Sequence, residues 1–190
     1  MTFRTPLLLL VLLCSFSAHA NNTNDFETQA NQAIKEFAET LKSALMLSMQ
    51  TDGSVKTIGV CKDIAPRVAE QVSDKYQLEV GRTALKIRNP ENQADEWEKQ
   101  VLRDFEKRLE KGETIQKLSF SERVETSQGP QWRMMKAIGT DLVCVTCHGE
   151  KIPEAIKTEL KKLYPEDEAT GFAVGSVRGA FTVKQPIKSD

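Results

Sequence analysis

Apolar residues recur at helical spacing over much of this chain and give way at intervals to alternating stretches. Phe26, Ala30, Ile34, Phe37, Leu41 and Leu45 lie three or four residues apart, which predicts a long amphipathic helix over about residues 25 to 50. Asp52-Gly53 ends it. Cys61 begins a second stripe, continued by Ile64, Ala65, Val68 and Val72 and reaching about Tyr76. Val80 to Ile87 reads as a strand stopped by Asn89-Pro90. Trp97, Val101, Phe105 and Leu109 mark another helix, closed by Gly112. Two strands, about residues 115 to 125 and 131 to 139, flank the turn residues Ser127-Gln128-Gly129-Pro130 and form a hairpin. Pro153 opens a helix carrying Ile156, Leu160 and Leu163, and Ala180 to Val183 makes a last strand. Hairpin-joined strands with flanking helices predict an α+β fold on a central antiparallel sheet.

The first 20 residues follow different rules. Arg4, the apolar run Leu7 to Leu13 and Ala18-His19-Ala20 describe a secretory signal peptide, with residues 21 to 190 left as a single domain. The run is short for a bilayer span, so no membrane span is expected after cleavage. Cys14 follows a bulky Leu13, which argues against a lipoprotein site. The expected location is therefore the bacterial periplasm.

Cys144-Val145-Thr146-Cys147-His148 carries the chemistry. Two thiols separated by two residues match the spacing of the porphyrin vinyl groups, and the next histidine then lies against the iron. The spacing predicts one covalently attached haem c, with Cys144 and Cys147 as the tethers and His148 as an axial ligand. A zinc site would need a second ligand pair, and the sequence has no other paired Cys or His. Cleavage after Ala20 removes His19, the only other histidine, so a bis-histidine haem from one chain is not expected. The sixth position is open at this point to Cys61, Met46, Met49, Met134, Met135, a lysine, water or nothing. On its helical stripe Cys61 reads as a small buried hydrophobe. Methionine would give the pairing familiar from electron-carrying cytochromes c.

Composition narrows the function classes. A formal net charge of −1 gives no electrostatic case for nucleic acid or an anionic membrane surface. Hydrophobic content of 39% and charged content of 28% are those of an ordinary globular domain. Arg82, Arg88 and Arg178 are candidates to neutralise haem propionates.

The chain resembles the Tll-like haem-c domain family. The matching segments are Gly59-Val60-Cys61-Lys62-Asp63-Ile64-Ala65-Pro66, Arg82 to Asn92, Asp95-Glu96-Trp97-Glu98, Cys144 to Gly149, and Tyr164-Pro165 through Ala169-Thr170-Gly171 to Arg178-Gly179-Ala180. The chain departs from the family at Ala84-Leu85-Lys86-Ile87, where Ser-Leu-Lys-Pro is expected. The resemblance implies a PAS-like extracytoplasmic domain with the iron held by His148 and Cys61. It further implies low-potential electron transfer or redox signalling, not substrate turnover. The alternative is a gas or redox sensor in which the cysteine leaves on reduction. The partners to expect are a redox protein or a small diatomic ligand.

Overall fold

The computed structural model describes residues 23–187; the leader expected over residues 1–20 lies outside them. Two long helices, α1 (Thr23–Thr51) and α2 (Gly53–Tyr76), form an antiparallel hairpin. Asp52 and Gly53 make the corner, and Gly53 takes φ +80, a backbone region that costs glycine little. Near this corner Ser48 and Thr57 join their hydroxyls at 3.0 Å in a buried contact. The second helix begins two turns before Cys61, earlier than its stripe suggested. Val55, Thr57, Ile58, Gly59 and Val60 are poor helix formers. Tertiary contacts override them, since Thr57 meets Ser48 and Ile58 enters a core cluster.

The sheet contains β1 (Glu79–Thr83), β2 (Ser119–Thr126), β3 (Gly129–Gly139) and β4 (Val177–Pro186), in the order β1-β4-β3-β2 with every pair antiparallel. Helix α3 (Glu96–Glu110) precedes β2, while α4 (Val145–His148) and α5 (Glu154–Leu163) lie between β3 and β4. Alternation along the strands sends side chains to two separate cores. Val80, Met134, Phe181 and Val183 pack under α1 and α2 with Phe26, Phe37 and Val68. Met135, Val177 and Ala180 face α3 with Leu102, Phe105 and Leu118. A third cluster joins α2 to α5 through Ile58, Ile152, Ile156, Leu160 and Tyr164, with Cys147 against it.

Two strand expectations need correction. The first strand stops at Thr83, because Ala84 bridges to Gln93 and the following residues bend away. Residues Ile115–Lys117 form a short 3-10 turn, so β2 starts only at Ser119.

On the α3 face, Arg133 donates to Asp95 at 2.7 Å and to Glu98 at 3.1 Å. Its guanidinium also lies 4.2 Å from the centre of the Trp97 ring. Thr182 Oγ1 donates to the same Glu98 carboxylate at 2.8 Å. Arg133 and Glu98 side chains are each 5% exposed, so solvent cannot replace a lost partner. Glu98→Ala is expected to cost about 3 kcal/mol, the low end for breaking a buried pair because Asp95 remains. Urea denaturation checks it; a loss no greater than that of Lys75→Ala, at an exposed ion pair, would refute the account.

Candidate functional site

Helix α4 is one turn long and comprises the last four residues of the Cys-x-x-Cys-His run. One helical turn brings Cys144 and Cys147 to the same side, and both are free, half-buried thiols. The turn is clamped from the C-terminal side of the chain. Phe172 N–H donates to the His148 carbonyl at 2.9 Å, and Gly171 N–H donates to the Gly149 carbonyl at 3.0 Å. Gly149 is required by space: a Cβ there would stand 2.5 Å from the Val145 carbonyl oxygen.

His148 is held by its side chain as well. Its Nδ1 lies 2.7 Å from the Ala169 carbonyl oxygen, an acceptor, so Nδ1 carries the proton. The Arg178 Nε–H faces the same nitrogen at 3.3 Å. Two donors cannot hydrogen-bond each other, so the shorter carbonyl contact decides the tautomer and Arg178 makes a charge contact. Nε2 keeps its lone pair, with Arg88 Nη1 at 3.4 Å. Burial, then the charges of Arg178 and Arg88, push the imidazole pKa down to about 2. The ring is neutral at any physiological pH.

The three candidate arginines have different surroundings. Arg88 is engaged: Nε and Nη2 grip the Asp167 carboxylate at 3.1 and 2.9 Å, and Nη2 also meets the Cys147 and Ala169 carbonyls at 2.6 and 3.2 Å. Arg178 donates to the Lys86 carbonyl at 3.1 Å and lies 4.9 Å from the centre of the Phe172 ring. Arg82, on β1, lies 5.7 Å from the centre of the Phe37 ring. Its guanidinium makes no hydrogen bond or ion pair within the described residues. Burial lowers its pKa, opposed by nearby Cys61 and Tyr164.

Cys61 faces the same region from α2. Burial raises its thiol pKa; Arg82 and Arg88 pull it down, and Cys144 pushes it up. Cys147 responds in turn to Arg88, Cys61 and Cys144 beneath its own burial. The three sulfurs and the arginines thus share one electrostatic neighbourhood. Met134 and Met135 instead lie in the two sheet cores. Trp132 stacks on Phe26 at 6.2 Å and Trp97 serves Arg133, so both belong to packing. A cavity of about 590 Å³ borders α4 at Gly149 and is lined by neither the three cysteines nor His148.

A family profile described as Tll0287-like, Tll0287, matches residues 17–186, which is most of the chain. The chain belongs to the Tll0287-like family. A solved structure, that of the cyanobacterial haem protein Tll0287, superposes with a TM-score of 0.65 at 21% identity, covering 89% of this chain and 99% of that one. The likeness establishes the α+β, PAS-like fold. No curated protein sequence matches. Among the described residues no helix is long and apolar enough to cross a membrane.

Four of the five segments that carry the Tll0287-like resemblance gather around His148, while Asp95 to Glu98 packs with Arg133 on the α3 face. Those four lie around residues 61, 82–92, 144–149 and 164–180. The departure at Ala84–Ile87 falls in the bend after β1, where the Ile87 carbonyl accepts from Glu168 N–H at 2.8 Å. Three participants had no role assigned from the sequence: Asp167, the Ala169 carbonyl and Tyr164, the last two within a segment that carries the resemblance. Asp167 had a usable signal, because its carboxylate caps the N–H of Ala169, two residues on, at 2.9 Å.

Tyr164 is buried against α2, and Lys62 lies 5.8 Å from its ring centre. Burial first, then Cys61, pushes its phenol up to about 12. A raised folded-state pKa adds stability that is complete below the unfolded value near pH 10 and is lost as pH rises toward 12. Tyr164→Phe is expected to lose less stability than the parent between pH 10 and 12. Denaturation midpoints across that range test this, and parallel pH profiles would count against it.

Proposed function

We propose that this chain is a periplasmic mono-haem c-type protein, with haem attached through Cys144 and Cys147 and its iron held by His148 and Cys61. The observation that carries the proposal is the neutral imidazole of His148, with Nδ1–H tied to the Ala169 carbonyl and Nε2 left unprotonated, its lone pair facing only a long contact from Arg88 Nη1 at 3.4 Å that a metal would displace. The donor set fits such a group. Two thiols lie one turn apart, a histidine of defined tautomer follows, and a third thiol approaches from another helix. Arg82, with no hydrogen-bond or ion-pair partner among the described residues, suits a propionate; Arg88 and Arg178 already donate to protein carbonyls. Membership of a family whose solved relative is a haem protein supports the same reading.

Haem c bound here supplies a one-electron couple, suited to low-potential electron transfer or redox signalling with a partner protein. Cys61 would have to lose its proton to ligate, and as a thiolate it would favour the more positive metal state and lower the reduction potential. His148 would hold the iron as a neutral imidazole, because burial keeps it unprotonated. A second reading, a sensor, draws on the raised pKa of Cys61. With haem bound and reduced, Cys61 would take a proton from solvent and leave, and the vacated position would be open to a diatomic ligand. Both readings make the chain a carrier or sensor rather than a substrate-turnover enzyme.

Mass spectrometry of chain matured in a periplasm is expected to show the added mass of one haem, abolished in Cys144→Ala/Cys147→Ala. Cys61→Ser is expected to keep the haem and lose the thiolate signature in the ferric electron paramagnetic resonance spectrum. An unchanged spectrum would remove Cys61 as ligand. Carbon monoxide binding to the reduced protein, fast in the sensor and slow or absent in the carrier, separates the two readings.

A further inference from the structure

We propose that Asp167, acting through Arg88, is a positioning residue that sets the electron-donating character of His148; the inference rests on His148 being an axial ligand. One carboxylate makes three contacts to two residues. Asp167 Oδ1 accepts the Ala169 N–H at 2.9 Å and the Arg88 Nε–H at 3.1 Å, while Oδ2 meets Arg88 Nη2 at 2.9 Å. Arg88 Nη2 then donates to the Ala169 carbonyl at 3.2 Å and to the Cys147 carbonyl at 2.6 Å. The Ala169 carbonyl is also the acceptor of His148 Nδ1–H, at 2.7 Å. That oxygen is therefore shared between an imidazole and a cation. The cation draws electron density from it, so it pulls less on the Nδ1 proton and leaves Nε2 less basic.

Charge balance gives the arrangement a direction. Arg88 Nη1 stands 3.4 Å from His148 Nε2. The Arg88 and Asp167 side chains are 10% and 9% exposed, so water screens them weakly. With both present, the site feels a near-neutral pair. Removal of the carboxylate leaves a bare guanidinium beside the ligand and disfavours the oxidised, more positive state. Removal of the guanidinium leaves a bare carboxylate and frees the Ala169 carbonyl, and both effects favour the oxidised state. The two halves of one pair thus act in opposite directions, which a packing role does not produce.

The test is potentiometric titration of haem-loaded Asp167→Asn, Arg88→Gln and the double variant, with Asp167→Glu as the conservative rescue. Asp167→Asn is expected to raise the reduction potential and Arg88→Gln to lower it. Each change is expected to be about tenfold in the redox equilibrium, near 59 mV for one electron. The double variant and Asp167→Glu return toward the parent. Shifts of the same sign, or none, overturn the proposal. A second arm uses the full chain from cells lacking haem-attachment machinery, reading the His148 ring tautomer from nitrogen-15 chemical shifts. The parent should show Nδ1–H, and Asp167→Ala should mix the tautomers; indifference to Asp167 overturns the proposal. If the parent gains no haem, the haem assignment fails by mass, while this second arm still decides the clamp.

Discussion

A buried imidazole with no carboxylate against it is kept neutral, and which nitrogen stays bare then depends on where the other finds an acceptor. Around His148 that acceptor is the Ala169 carbonyl. The dependence runs outward from this hydrogen bond. Ala169 is oriented by Asp167, Asp167 is paired with Arg88, and Arg88 is brought into reach because β1 ends early and the chain bends toward the site. The loop that supplies Ala169 also clamps the motif through the Gly171 and Phe172 amides. A turn of only four helical residues, too short to hold itself, is thus fixed by its neighbours.

The rest of the molecule is the scaffold that makes such fixing possible. The sheet separates two apolar cores, and fully buried side chains such as Phe37 and Phe105 each contribute about 1.5–3 kcal/mol from burial. The α1–α2 hairpin does more than cover one face. Its second helix carries Cys61 toward the motif, and the cluster of Ile58, Leu160 and Tyr164 binds that helix to α5 beside Cys147. Positive charge gathers where these parts meet, with Arg82 and Arg88 acting on Arg178 and Asp167 opposing them. Such an electropositive, desolvated neighbourhood favours carboxylates and the thiolate form of a nearby cysteine.

The helices were legible where burial is one-sided. The stripes of α1, α3 and α5 match their observed spans closely, because each packs a single face against the sheet or its neighbour. Legibility failed where long-range contact overrode local preference. The start of α2 is helical despite β-branched residues and Gly59, held by Ser48 and by the α5 cluster. Val80 to Ile87 alternates like a longer strand, yet Ala84 pairs with Gln93 and the chain turns.

The Cys-x-x-Cys-His spacing, the helical stripes and the hairpin turn are short-range properties, written in residues that meet within a turn or two of backbone. The sequence by itself therefore determined the α+β class and the placing of two thiols and an imidazole on one turn. The tautomer of that imidazole was beyond its reach, because the deciding carbonyl lies 21 residues away and the ion pair that orients it joins residues 79 apart. The same holds for the distinct surroundings of the three arginines and for the approach of Cys61. Such contacts form only when several elements are packed at once, and low dielectric then gives each hydrogen bond and charge its weight.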